Sequence, residues 1–528
     1  MILGLDVGAC AASRKTGLKD PSEPLAFCGL RTICYSAAAI LAGLFSAQII
    51  ATLQVYFSNR ALFRTLTVIN EAGYLVIPNQ QMMNRLLEFG PALYGGLFFT
   101  LSVGTGLSLL SFAAAWVWAR LFSRNTIPLI FFLFLWAGSI AAVNSSGFSP
   151  LVNAYFLVIP AAVFWITLRW MPRQTGRPPW TSAFIHLMTI ALLASLWAPQ
   201  MNSHLFLDLR DRLLLSNPLG TKINNFYYRY TLYPAEVFKS LDQKVLKTCS
   251  LDSVRKGPLK KRLEEKLLSH DYLNTGAKGA VDLEIREEGK TLILENRGRI
   301  ILKTTANDFL SAPANMLRQF SSKTDRYSLF RQFTYYSVLI GFPVTLYLFL
   351  YTVLLFLLSC FLDLRTSSVT AAILCFLSGI LLLIPVWLGN AGKIDKNHLD
   401  KFLESGRWQD RVAALKIIRQ NWVEVSSFPS YKRMLSSPHI PERYWLTKAL
   451  GVSRNAETRK DLLALLDDPS PTVVSMAFQA LGRRGDKRAV KEILKRIETS
   501  DHWYTQWYAY KALKALGWKQ TKSSQETQ

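Results

Sequence analysis

Apolar residues are gathered into runs rather than spread evenly along the chain. Seven stretches, about 30–57, 91–119, 127–143, 151–170, 182–198, 334–361 and 369–389, are almost wholly apolar. Each approaches the ~20 residues a helix needs to cross a ~30 Å hydrocarbon layer. Their central positions hold no Asp, Glu, Lys or Arg. The pattern predicts a polytopic bundle of about seven membrane helices. In the first stretch Ala39, Gly43, Ala47 and Ala51 recur at every fourth position. That spacing sets small side chains on one stripe, where a neighbouring helix can approach closely, so these four are candidate helix-packing residues.

Polar segments separate the runs. Residues 58–90 read as a polar connection carrying Arg60, Arg64, Glu71, Arg85 and Glu88. Residues 199–333 are long enough for a domain. Their first half, with KKRLEEKLLSHDYL, has helical character. Their second half alternates in VDLEIRE, TLILENR and RIILKT, separated by Glu288-Gly289-Lys290 and Arg297-Gly298-Arg299. Alternation bounded by glycine turns predicts short strands, hence a small α+β soluble insertion. Residues 1–29 read as an N-terminal tail and residues 521–528 as a disordered C-terminal tail.

After the last apolar run the period changes. Ala449-Leu450-Gly451, Ala480-Leu481-Gly482 and Ala515-Leu516-Gly517 recur at spacings of 31 and 35 residues, and Ala414-Leu415 opens a degenerate earlier copy. Within a unit, RKDLLALLDD reads as one helix and Asp468-Pro469-Ser470-Pro471 as a break. TVVSMAFQALG reads as a second helix, with proline at its start and glycine near its end. The segment DDPSPTVVSMAFQALGRRGDKRAVKEIL resembles the HEAT repeat, in the short bacterial form related to phycobilisome-lyase repeats. The resemblance implies an α-solenoid over residues 390–520 that binds a protein partner and has no catalysis of its own. The arginine usual early in the family's second helix is matched by Arg443 and by Arg411. At the spacing above, Val474 and Ala509 stand there in the last two units. The last unit is rich in aromatics. Trp503, Tyr504, Trp507 and Tyr508, with Arg443, are candidate partner-docking residues, and the aromatics are equally candidates for a terminal cap.

Composition adds a strong basic bias. The 528 residues carry a formal charge of +25, half of them are apolar, and mean hydropathy is +0.17. Membrane proteins acquire such a bias by flanking helices with Lys and Arg beside anionic lipid. No basic run is interleaved with aromatics in a recognised nucleic-acid module, so nucleic acid is not an expected partner. Arg14, Lys15, Lys19, Arg31, Arg120, Arg124, Arg169, Arg173 and Arg177 place the N-terminus inside and the 199–333 domain outside. Seven crossings then put the repeats outside as well. Arg60, Arg64, Arg85, Lys393, Lys396 and Lys401 pull the other way.

Candidate chemistry is sparse. The six histidines are not spaced as metal ligands, no phosphate loop or nucleophile motif occurs, and adjacent glutamates such as Glu264 and Glu265 point apart on a helix. No catalytic, cofactor-binding or metal-binding residue is expected. The resulting reading is a mainly α multi-pass protein of the bacterial cytoplasmic membrane. It serves as a non-catalytic scaffold whose partners are lipid and a protein held by the repeats. A component of a transport or export system is one alternative. A membrane enzyme whose site lies in the loops, using Glu71, Glu88, Asp208 and Asp211, is another.

Overall fold

The protein is described by a computed structural model over residues 25–171, 179–201, 205–276, 281–390 and 398–522. The N-terminal tail up to residue 24 lies outside the described residues, with Arg14, Lys15 and Lys19. So do Arg173, Arg177, Lys393, Lys396 and tail residues 523–528. The chain divides into two compact units.

The first unit comprises Met1–Gln54, Gly96–Leu205 and Arg326–Pro385. It draws on seven helices that are long and apolar enough to cross a membrane: Ile33–Glu71, Phe89–Arg120, Thr126–Asn144, Pro150–Trp170, Ala183–Gln200, Ser328–Leu358 and Leu364–Pro385. The small-residue stripe of the first helix faces inward. Ala39, Ala47 and Ala51 are fully buried. A Cβ on Gly43 would overlap the Ser108 hydroxyl and the Val163 side chain, and one on Gly104 would lie 2.7 Å from Ala47 Cβ. The opposite face of the same helix presents Leu41, Phe45, Ile49 and Leu53, with Phe45 70% exposed. The unit is therefore small and close-packed inside and large and apolar outside, the reverse of a water-facing helix.

Several polar groups inside this unit find hydrogen-bond partners within it. Ser46, Ser111 and Thr167 donate to the carbonyl four residues back, at 2.8, 2.6 and 2.6 Å. Asn144 and Asn153 exchange two hydrogen bonds of 2.6 and 2.9 Å between neighbouring helices. Two short π-helical turns, Thr100–Gly104 and Ser337–Gly341, interrupt their helices. A Cβ on Gly341 would lie 3.1 Å from Gly106 N, and one on Gly106 would overlap the Ser337 side chain. Thr100 Oγ1 donates to Gln48 Oε1 at 2.7 Å in the same region.

The second unit comprises Val55–Gly95, Phe206–Asp325 and Val386–Gln528. The first helix spans Leu25–Glu71, so residues 58–71, expected as a polar connection, continue it. No glycine or proline occurs between Leu44 and Ala72 to end it. Val55, Leu66 and Ile69 bury one side of the extension, and Gly73, at φ 80°, stops it.

The soluble insertion is α+β. Its strands are β1 (Lys247–Ser250), β2 (Tyr272–Asn274), β3 (Leu283–Glu288), β4 (Thr291–Asn296) and β5 (Arg299–Thr305). They lie in the order β2-β1-β3-β4-β5. β1 runs parallel to β2 and β3, and β3, β4 and β5 form an antiparallel meander. The three alternating segments are the meander. The two parallel strands were not anticipated, and β2 falls where a helix was expected to continue. The helix ends at Ser269, and Asp271, at φ 61°, turns the chain. All four residues of β1 are buried, so no alternation marks it in sequence. Cys249, Leu263, Ile285, Leu294, Phe309 and Phe320 form the core between sheet and helices.

Gly43→Leu should cost about 1–3 kcal/mol or more by overpacking the helix contact. We expect loss of the monodisperse peak on size exclusion in detergent and a lower melting temperature. Leu41→Ala, on the exposed face of the same helix, should change neither.

Candidate partner-binding surface

Residues 399–515 build four helix pairs. The first helices are Leu399–Leu403, Tyr431–Met434, Thr458–Ala464 and Val490–Thr499. The second helices are Trp408–Gln420, Ile440–Leu450, Pro471–Arg484 and Trp503–Ala515. One turn recurs before each second helix. Ser405, Ser437 and Ser500 accept from the amide two residues on through Oγ, each at 3.2 Å. Asp468 does so through Oδ1 at 2.8 Å. These four turns are 32, 31 and 32 residues apart.

Six residues after the turn, a side chain returns to the turn carbonyl. Arg411 donates to Ser405 O at 2.6 Å and Arg443 to Ser437 O at 2.5 Å, while Gln506 Nε2 donates to Ser500 O at 2.7 Å. The arginines also reach forward. Arg411 makes a bidentate pair with Glu442 at 2.6 and 2.8 Å. Arg443 makes one with Asp468 at 2.6 and 3.1 Å. Each guanidinium thus supplies a buried carbonyl and bolts its repeat to the next.

This geometry corrects the register of the last repeat. The expected Ala515-Leu516-Gly517 match is three residues too late. Ile418, Leu450, Leu481 and Leu513, spaced 32, 31 and 32, are all fully buried. A Cβ on Gly451 would lie 2.8 Å from Ala480 Cβ, and one on Gly482 would lie 3.0 Å from Ala512 Cα. Gln506, not Ala509, stands at the arginine position of the last repeat.

The open end of the stack is closed by a segment from far upstream. Gln506 Oε1 accepts from Asn79 N at 2.8 Å. Asn79 Nδ2 lies 2.9 Å from the carbonyls of Ile497 and Glu498 and 3.0 Å from that of Ser500. Its Oδ1 caps the helix Gln80–Arg85 by accepting from Met82 N. Gln520 exchanges two hydrogen bonds with the Leu75 backbone, at 3.0 and 2.9 Å. Asn79 and Gln520 satisfy groups that a fifth repeat would otherwise meet.

The family model for HEAT repeats matches residues 431–514. No curated protein and no solved structure matches the chain. The match begins at the first helix of the second repeat, and the Ser405 turn with Arg411 extends the same geometry one repeat earlier.

Part of the HEAT surface is already occupied by the chain itself. Asp208 pairs with Lys416 at 2.9 Å, and Asp211 accepts from Trp445 Nε1 at 2.7 Å while pairing with Arg210 at 2.6 Å. Arg210 lies 4.0 Å from the Tyr444 ring centroid. Tyr228 packs edge-on to Tyr504 and Tyr233 to Trp503, at 4.7 and 5.0 Å. Among the candidate docking residues, Trp503 is buried against Tyr233 and Arg443 is held by Asp468. Tyr504 and Tyr508 lie within 3.4 Å of each other through their hydroxyls, and Trp507 lies between Lys239 and Lys511, 6.0 and 3.6 Å from its ring centroid. Trp503, Tyr504 and Trp507 thus meet Tyr233, Tyr228 and Lys239 of the same chain. Asp208 and Asp211, named for a loop-borne active site, are committed to the same contact.

Beyond this contact a groove of about 400 Å³ crosses the second helices. Its cations are Arg419, Lys448, Arg483 and Lys511, accompanied by Gln479 and Tyr508. In the corrected register Lys416, Lys448, Gln479 and Lys511 occupy one row, a pattern the 35-residue spacing had concealed. Lys448 sits over Tyr444 and Trp445 at 4.7 and 4.6 Å from the ring centroids. Burial first, then Arg419, Arg210 and Lys416, lower its pKa from 10.5 to about 7, against the opposing pull of Asp211. Lys511 is lowered in the same direction by burial and Lys239.

Two outcomes follow. Asn79→Ala should destabilise the last repeat by about 1–3 kcal/mol, since it strands buried carbonyls. Hydrogen exchange over residues 490–510 should speed up, with the sheet unchanged. For Lys448 the protonated form is the penalised one. The penalty is complete below pH 7, the folded pKa, and fades as pH rises toward 10.5, the ordinary value. Lys448→Met should therefore raise the melting temperature by several degrees below pH 7. The gain should shrink steadily in more alkaline buffer.

Proposed function

We propose that this protein is a multi-pass integral membrane scaffold, without chemistry of its own, that holds a protein partner on its HEAT repeats. One observation carries the reading. Residues 55–95, 206–325 and 398–522, which follow the first, fifth and seventh apolar helices, assemble into one unit. Four of the apolar helices separate the first segment from the second and two separate the second from the third; when every one crosses, these even numbers bring all three to a single side. The exposed apolar belt supports the same reading. Phe134 is 73% exposed on a helix with no buried residue, a surface costly in water and comfortable in lipid. The repeats resemble the short bacterial form, and the bacterial cytoplasmic membrane, with the repeats outside, is the proposed location.

A second reading has one observation in its favour. The two π-helical turns and the Gln48–Thr100 hydrogen bond form a polar seam in an otherwise apolar bundle, as the path of a transport or export component would. Proteoliposomes carrying the full chain should retain potassium and carboxyfluorescein as well as empty vesicles do. Release through the protein would favour the second reading.

Sidedness tests the crossings. In a background without native cysteines, Lys460→Cys in the repeats and Lys290→Cys in the sheet domain should react alike with an impermeant maleimide in spheroplasts. Arg365→Cys, in the first turn of the last helix, should react oppositely. Opposite labelling of Lys460→Cys and Lys290→Cys would end the seven-span reading. A photo-crosslinking amino acid at Glu457 or Trp422 of the full chain in native membranes should yield one reproducible protein adduct. A clean absence at both sites would remove the scaffold role.

A further inference from the structure

We propose that the groove across the second helices binds an acidic segment of the protein partner, whose carboxylates lie against Arg419, Lys448, Arg483 and Lys511. The proposal rests on the scaffold reading and names the chemistry of what that scaffold holds.

The groove differs from the rest of the solenoid in how its charges are treated. Most half-buried cations elsewhere in the solenoid are paired within the chain, as Arg411 with Glu442, Arg459 with Asp486, Lys416 with Asp208 and Lys514 with Asp271. Among the described residues none of the four groove cations makes an ion pair, and no carboxylate lines the groove. A favourable helix C-terminus explains part of this, since cations there gain about 0.3–1 kcal/mol. It does not account for Lys448, whose surroundings disfavour its charge despite that position. A site that concentrates unpaired positive charge at a cost to the free protein is organised for something negative.

The groove is also preorganised. Arg483 lies 4.6 Å from the Trp422 ring centroid and Lys511 3.6 Å from that of Trp507, as Lys448 does over Tyr444 and Trp445. The rings hold the cations in place without neutralising them. That arrangement favours carboxylates over nucleic acid. Single strands stack bases on free aromatic faces, and here a face of each ring already carries a cation. At about 400 Å³ the groove is at the small end of ligand pockets, suited to a few side chains of an extended segment.

The test uses the full chain in detergent and a fluorescein-labelled decaglutamate peptide, read by anisotropy. Decaglutamine and oligothymidylate of equal length are the comparisons. The acidic peptide should bind, with affinity falling as salt rises, and decaglutamine should not. Lys448→Gln with Arg483→Gln should weaken binding at least tenfold, and so should the exposed Lys511→Gln paired with Arg483→Gln. Lys460→Gln, outside the groove, should leave it unchanged. Melting temperatures no lower than that of the parent chain exclude misfolding. Undiminished peptide binding in both double variants would overturn the proposal, as would tighter binding of oligothymidylate that the same variants abolish. The photo-crosslinked adduct separates this from the scaffold reading. An adduct that persists in the groove variants leaves the scaffold standing and removes the groove as its acidic-segment site.

Discussion

The turn carbonyl before three of the four second helices takes a side-chain donor, and where such a carbonyl is buried, leaving it unsatisfied costs on the order of 1–3 kcal/mol. Ser405 O, Ser437 O and Ser500 O are each met by a side chain six residues on. Where that side chain is arginine, its remaining donors reach a carboxylate of the next repeat, so one requirement sets both the turn and the stacking distance. At the last repeat no further carboxylate follows. Glutamine replaces arginine, and its oxygen takes the Asn79 amide. The same local need that propagates the solenoid also closes it, with a segment more than four hundred residues earlier in sequence.

Closure of that kind changes what the repeats can be. A solenoid tied to Asn79 at its end and to Asp208 and Asp211 along its side is part of a larger compact unit, not a free arm. It leaves less surface open than the repeat count alone suggests. Of the aromatic side chains that look ready for a partner, Trp503 and Tyr504 are engaged in that assembly, while Tyr508 lines the groove. What stays open is marked by charge, because the docked segment brings carboxylates to Lys416 and Trp445 and forms no ion pair with the cations of the groove.

The apolar unit obeys the opposite rule. Small residues face inward, where Gly43 and Gly104 allow close approach, and bulky ones face outward. Backbone-directed hydroxyls and the Asn144–Asn153 pair satisfy several of the polar groups that such surroundings would penalise. A polar seam lies where two π-helical turns meet.

Much of this was legible along the chain because it is written in local periods. Seven runs of apolar residues, three alternating strands with glycine turns and a helix-pair repeat need only neighbours in sequence to be seen. The extension of the first helix was obscured because charge was read as loop, although no helix breaker occurs before Gly73. The parallel strands were hidden because buried strands have no alternation. The last repeat was placed three residues late because Ala-Leu-Gly occurs there by chance, while the positions that pack are Ala512 and Leu513. Which cations are neutralised, which aromatics are covered and what closes the solenoid were decided by tertiary structure alone. Those outcomes depend on contacts between segments hundreds of residues apart, and no local pattern records which distant group will arrive to satisfy a buried charge or carbonyl.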